Sequence, residues 1–200
     1  AIAQVLTPIF DPDFSEHSFG FRPGRNGQQA VKQVQSIIKE GRRFAVDVDL
    51  SKFFDRVNHD LLMTRLGDKV KDKRLLKLIK RYLRAGFIDN QFKGESRVGV
   101  PQGGPLSPLL ANIMLDSLDK ELEKRGHKFA RYADDFTILV KSQRAGERVL
   151  RSISQYLQSR LKLVVNTDKS RVVKTNESQF LGFTFKANRI HWHPKTLLKF

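Results

Sequence analysis

The sequence predicts an α/β (α+β) fold built on a ferredoxin-like split β-α-β sheet, and three observations carry that expectation. Phe44, Val46, Val48 and Leu50 alternate with Ala45, Asp47 and Asp49, so a strand over 44–50 has one apolar face and one face bearing two carboxylates. Apolar segments at Phe129–Tyr132 and Phe136–Lys141 flank Ala133-Asp134-Asp135, which reads as a hairpin with acids at its tip. Helix-period segments separate these strands from each other and from a short strand over Arg171–Lys174, giving the order strand, helix, hairpin, helix, strand.

The remaining elements follow from local pattern. Ala1–Leu6 reads as the inside of a helix, and Pro194–Phe200 begins a further element; with no Met at the start, the chain is expected to be a piece of a longer protein. Ala30, Val31, Val34, Ile37 and Ile38 recur at helical spacing, with Gly41 where a C-terminal cap belongs. Arg74–Arg84 places Leu75, Ile79, Tyr82 and Leu83 on one side and Lys73, Lys77, Lys80 and Arg84 on another. Eight basic residues against one acid, Asp72, lie between Lys69 and Arg84, so this stripe is either a solvated face or a phosphate rail. Ser107 is expected to cap a helix with Pro108 at its first position, running through Leu109–Arg125 to Gly126. A fourth helix is expected over Ala145–Leu161, with Val149, Ile153, Tyr156 and Leu157 inward, and short strands over Leu163–Val165 and Phe180–Phe185.

Composition narrows the function. At 40% hydrophobic residues the chain can build a core, so disorder throughout is excluded. No apolar run approaches the ~20 residues that span a bilayer, and the absence of cysteine excludes disulfides and thiolate zinc sites. Thirty-seven Lys+Arg against 21 Asp+Glu give a net charge of +16. The excess is shared by both halves, so the folded body itself is basic and nucleic acid is the favoured partner. His191 and His193 stand two apart, but with no carboxylate neighbour they read as surface groups rather than a metal site.

The acids carry the chemistry. Phosphoryl transfer to a nucleic-acid 3′ end needs two divalent cations about 3.5–4 Å apart, and magnesium takes a couple of carboxylates plus waters and substrate phosphates. Asp49 on a central strand, with Asp134 and Asp135 at a neighbouring hairpin, meets that specification. Paired acids between two apolar strands repel one another, and a cation relieves the repulsion. Asp47 lies on the same strand face as Asp49, roughly 7 Å away, and reads as a structural acid.

These residues resemble a known family. Val46-Asp47-Val48-Asp49-Leu50-Ser51-Lys52-Phe53-Phe54-Asp55 is similar to the first palm motif of reverse transcriptases. Pro101-Gln102-Gly103-Gly104 resembles their nucleotide-pocket motif, and Tyr132-Ala133-Asp134-Asp135 their metal-binding box. Asn166-Thr167-Asp168-Lys169 and Phe180-Leu181-Gly182-Phe183 resemble the two motifs that follow. Phe19-Gly20-Phe21-Arg22-Pro23-Gly24-Arg25 is similar to a segment of bacterial group II intron reverse transcriptases and maturases.

The resemblance implies a right-hand polymerase palm with helical fingers elements: fingers over 1–44 and 61–100, palm over 45–60 and 101–190, and the start of a thumb over 191–200. It implies RNA-templated addition of dNTPs to a DNA primer, with Asp49, Asp134 and Asp135 holding two Mg²⁺ ions that Mn²⁺ can replace. Phe54 would be the gate against a ribose 2′-hydroxyl, or else a core residue beside Phe53. Gln102, Gly103 and Lys169 would meet the incoming nucleotide, Lys169 protonating the departing pyrophosphate. Arg22, Arg25, Tyr132 and Gly182 would meet nucleic acid. By the same resemblance the parent is a cytoplasmic, ribonucleoprotein-associated bacterial protein that binds group II intron RNA and assists splicing, with no membrane partner. The fragment alone would be impaired, because fingers and thumb segments would lie outside it. A retron or diversity-generating reverse transcriptase, an RNA-dependent RNA polymerase and a non-catalytic RNA scaffold are the competing readings.

Overall fold

Four antiparallel strands form the central sheet in the order β2-β3-β1-β4. They are β1 (Phe44–Val48), β2 (Lys128–Tyr132), β3 (Asp135–Val140) and β4 (Arg171–Lys174). The computed structural model describes residues 2–85, 98–101 and 103–197. β1 is central, pairing Asp47 with Thr137 of β3 on one side and with Arg171 of β4 on the other. Helices fill the crossovers: α4 (His59–Lys69), α5 (Lys73–Arg84) and α6 (Ser107–Lys124) between β1 and β2, and α7 (Gln143–Tyr156) between β3 and β4. This is the split β-α-β order expected from the sequence.

Alternation along each strand sorts the two faces. Val46, Val48, Phe129, Phe136 and Ile138 enter a large core with α4–α7 and with Leu6 and Phe10 of α1 (Ile2–Phe10). On the opposite face Ala45, Ala130 and Leu139 are covered by α2 (Gly27–Lys39), Phe180 and Phe185. Only half of this second face is roofed. Beyond the apolar half, on the same side, come Asp47 and Thr137, then Asp49 and Asp135 one residue past the last β1–β3 pair, Val48 with Phe136.

Side-chain caps set several helix starts. Asn26 and Gln29 form a reciprocal capping box at α2, Asn58 accepts from Leu61 N–H at α4, Asp72 accepts from Arg74 and Leu75 N–H at α5, and Ser142 accepts from Ala145 N–H at α7. Ser107 departs from expectation. Leu106 is the cap position of α6, and the Ser107 hydroxyl donates instead to the Pro101 carbonyl. α7 ends at Tyr156 in a π turn, Leu157–Leu161. The 163–165 segment makes only a bridge from Val165 to Leu50, which carries the β1 edge past its last ladder pair.

The C-terminal part also differs. The strand expected over Phe180–Phe185 begins at Phe183: Phe180 and Phe183 exchange backbone hydrogen bonds around Leu181 (φ 51°) and Gly182 (φ 82°), a tight turn of two left-handed residues. β5 (Phe183–Lys186) then pairs with β6 (Arg189–Trp192), so a palm–thumb boundary at 190/191 falls inside a strand. α8 (Pro194–Leu197) follows. At the other end of the chain, Ser18 bridges in parallel to Arg131 of β2, so part of the segment expected to be fingers is backbone-paired to the central sheet.

Candidate active site

The open half of the second sheet face is the floor of a cleft of about 550 Å³. Asp47, Asp49, Asp134, Asp135 and Asp168 line it, with only Lys169 and Arg171 to offset them. Asp49 stands just past β1. Its backbone N–H donates to Ser170 Oγ at 3.0 Å and its carbonyl accepts from Asn166 N–H at 2.9 Å. These bonds bring the 166–170 turn to the cleft. Asn166 Oδ1 accepts from the N–H groups of Asp168 and Lys169, the local turn that Asn favours, and this presents Lys169 at the wall.

Asp134 and Asp135 arrive on the hairpin. Ala133 and Asp134 form its two-residue tip, Ala133 in the left-handed region at φ 57°, and β3 starts at Asp135. Asp135 opens to solvent at the start of β3, yet desolvation by the cleft walls still pushes its carboxyl up, to about 7, with Asp47, Asp134 and Asp49 adding repulsion against the hydrogen bond it accepts from Leu181 N–H. Asp47 is held differently. Thr137 Oγ1 and Ser178 Oγ donate to its Oδ1 at 2.9 and 3.0 Å, and burial raises its carboxyl above the usual range. It ties the roof loop to the sheet, as the structural acid expected.

The three expected metal acids thus line one cleft, Asp49 and Asp135 from the same sheet face and Asp134 from the hairpin turn beside it. Among the described residues, however, no three acid or His side chains converge into a ready-made metal cage. Concentrated negative charge with an acid forced toward its protonated form is the state a divalent cation relieves, so the residues present fit such a group.

Other expected residues fall in varied places. Gly182 lies in the cleft wall, its carbonyl accepting from His193 N–H at 2.8 Å and Thr196 Oγ1 at 3.1 Å. Tyr132 ends β2, its ring 5.8 Å from that of exposed Phe21. Phe54, on α3 (Phe53–Arg56), packs edge-on against Phe53 at 5.2 Å and stays half-buried, whereas Phe53 is a core residue. Gly103, at φ 77°, and Gly104 sit at the head of α6; a Cβ on Gly104 would lie 2.4 Å from the Tyr82 hydroxyl, so its bareness serves packing there. Gln102 lies outside the described residues.

Arg22 is a correction. Instead of facing a template, its guanidinium is buried and donates to Asp11 Oδ1 at 2.7 Å and to the carbonyls of Asp11, Ser15 and Ser18. Four of its five N–H donors are spent internally. Arg25 remains at the surface, paired with Glu16 and 5.5 Å above the Phe19 ring. Sequence reasoning also missed Arg131 and Asp119, a fully buried ion pair beneath the hairpin. The available signal was alternation, which sets Arg131 two residues from core Phe129 and so on the same face.

Comparison with known proteins places the chain. The family model described as reverse transcriptase (RNA-dependent DNA polymerase) matches residues 1–185. The chain belongs to the reverse transcriptase family. This reverse transcriptase domain is similar to Protein YkfC of Escherichia coli K12, 31% identical over 95% of the chain and 59% of that protein. It is also similar to the group II intron-encoded protein LtrA of Lactococcus lactis subsp. cremoris, 26% identical over 94% of the chain and 42% of LtrA. It is 28% identical to a putative COX1/OXI3 intron 2 protein of Saccharomyces cerevisiae, across the whole chain and 30% of that protein. The domain therefore spans between about a third and three-fifths of these relatives' lengths. An apo telomerase from Candida tropicalis shares the fold, with a TM-score of 0.73 over 96% of the chain and 45% of the telomerase, at 14% identity. The α/β palm-like polymerase fold expected from the sequence is the fold present.

Proposed function

We propose that the parent of this reverse transcriptase domain is an RNA-directed DNA polymerase that adds dNTPs to a primer 3′ end, and that it also binds group II intron RNA as a maturase. The observation that carries the reading is the gathering of Asp49, Asp134 and Asp135 in one cleft at the edge of the sheet's open face. Asp49, Asp134 and Asp135 would hold two Mg²⁺ ions, which when bound supply Lewis-acid stabilisation of the attacking and leaving oxygens. The chain's own groups do the rest. Lys169 at the wall would meet the triphosphate and supply a proton to pyrophosphate, and Gly182, whose left-handed turn and closeness to Thr196 leave no room for a side chain, would present backbone to the primer. The intron-encoded relatives support intron RNA as the partner. Among the described residues no helix is long and apolar enough to cross a membrane.

Primer extension by the complete natural chain tests this. On an RNA template it should extend a DNA primer with dNTPs, only with a divalent cation, and prefer dNTPs to rNTPs. Extension with rNTPs alone would instead indicate an RNA polymerase, and RNA binding without extension a scaffold. Replacing Phe54 by valine should raise rNTP use relative to dNTP about 10-fold or more, the scale of a pocket contact worth one to three kcal/mol. An unchanged ratio would leave Phe54 as packing for Phe53.

RNA attraction should come from the exposed cations of α5. Lys73, Arg74, Lys77 and Arg81 are open to solvent, whereas Arg22 is buried. Lys73→Gln with Lys77→Gln should weaken RNA binding about equally for all sequences and flatten the slope of log K against log salt by roughly one. A slope that does not move would make this stripe a solvated face.

A further inference from the structure

The most deeply buried charge in the described structure lies outside the cleft. Arg131 directly precedes the Tyr132-Ala133-Asp134-Asp135 box, and both it and Asp119 of α6 are 0% exposed. Its side chain leaves β2 on the face opposite the acids. Nε donates to Asp119 Oδ1 at 2.8 Å and Nη2 to Asp119 Oδ2 at 2.5 Å, a forked pair. Nη1 donates to Asn112 Oδ1 and to the Ala133 carbonyl, both at 2.8 Å, and Nη2 reaches Ser18 Oγ at 2.8 Å. One guanidinium thus joins α6, the segment before α2 and the tip of the acidic hairpin.

That tip needs holding. Ala133 occupies the left-handed region, where its Cβ crowds the backbone and the conformation is unfavourable unless held. Gly20 seats it from the side: a Cβ there would lie 2.3 Å from Ala133 N and 2.9 Å from the Tyr132 carbonyl carbon. The seat is itself braced. Phe19 N–H donates to the Arg131 carbonyl and Arg131 N–H to the His17 carbonyl, both at 2.9 Å, while Asn112 Nδ2 donates to the Gly20 carbonyl at 2.8 Å. Arg22 then gathers the carbonyls of Ser15 and Ser18 from behind.

We infer that Arg131 is the positioning residue of the acidic hairpin, and that Ser18–Arg22 with Asn112 and Asp119 forms the seat that fixes where Asp134 and Asp135 stand. The inference rests on the polymerase reading above. A buried ion pair is a poor source of net stability, since apolar residues of similar volume often replace one at no loss. Geometry is what this one supplies. Its donors bind groups from three separated stretches of chain, and a carboxylate site works only when held to within about half an ångström.

The test uses the complete natural chain. The double variant Arg131→Met with Asp119→Leu removes the pair while keeping bulk, and Arg131→Lys keeps the charge but loses the planar fork. Gly20→Ala leaves the pair intact and presses on Ala133. Each is expected to lower kcat for dNTP addition about 10- to 100-fold and to weaken Mn²⁺ binding, measured by calorimetry without nucleotide, by a similar factor. RNA affinity should stay at the unmodified value. A folded double variant or Gly20→Ala with unmodified kcat and Mn²⁺ affinity would overturn the seat, leaving Arg131 as packing alone. If the unmodified chain adds no dNTP, the polymerase reading fails instead; a loss of Mn²⁺ affinity in these variants would still support the seat.

Discussion

Asp134→Ala in the complete chain is expected to abolish primer extension, with a loss of at least about 10³-fold in rate, while RNA binding stays within about twofold. The size follows from the several kcal/mol of charge stabilisation that a bound metal contributes, at about 1.4 kcal/mol per tenfold. Asp134 is half-buried at a hairpin tip, and its neighbour Asp135 is already pushed up to about 7 by desolvation and nearby carboxylates. Removing one of those charges relieves repulsion, so the variant should be no less stable than the unmodified protein. In the proposed reading RNA affinity rests on cations elsewhere, on α5 above all. Primer extension, filter binding and a thermal melt on the same preparation separate these effects. Residual extension above about one per cent would remove Asp134 from the metal site, and a parallel loss of RNA binding would mean that the hairpin shapes the RNA surface as well.

Asp119→Ala is expected to have the largest effect on stability. It would strand the Arg131 guanidinium in the core, and breaking a buried pair from one side costs about 3–5 kcal/mol. For a domain of this size that corresponds to a fall in Tm of roughly 10 °C. Asp119→Asn keeps an acceptor for the Arg131 Nε–H and should cost distinctly less. The order of the three melts, with the apolar double variant above Asp119→Ala but below the unmodified protein because Asn112 Oδ1 and the Ala133 carbonyl lose their donor, is the diagnostic result. A fall of under about 1 kcal/mol for Asp119→Ala would show that water reaches the guanidinium and that the pair is not sealed in the core.

Much of the site was legible because its signals are local. The alternation over 44–50 placed Asp47 and Asp49 on one face, and that is the face they occupy. The hairpin was readable from apolar runs around Asp134-Asp135, and the 166–169 turn from an Asn whose side chain folds back on its own backbone. α4 was not readable. Its buried apolar residues are Leu62 and Leu66, and Gly67 interrupts the pattern, so tertiary contact rather than periodicity maintains it. Ser107 looked like a cap because Ser before Pro commonly is one; the nearby Pro101 carbonyl, brought in by the turn before α6, competed for its hydroxyl.

Arg22 and Arg131 show the same limit more sharply. Both sit beside aromatic residues in segments of a strongly basic chain, where an arginine is most simply read as facing phosphate. Their partners lie at residues 11–18 for Arg22 and at residues 18, 112, 119 and 133 for Arg131, a set that only the fold assembles. By itself the sequence determined the strands of the central sheet, which face carries Asp47 and Asp49 and which family motifs the acids compose, because side-chain alternation and turn chemistry act over a few residues. The tertiary structure alone decided which arginines are spent inside and how the acidic hairpin is seated. Burial of a charge depends on partners far along the chain, and nothing within a few residues announces them.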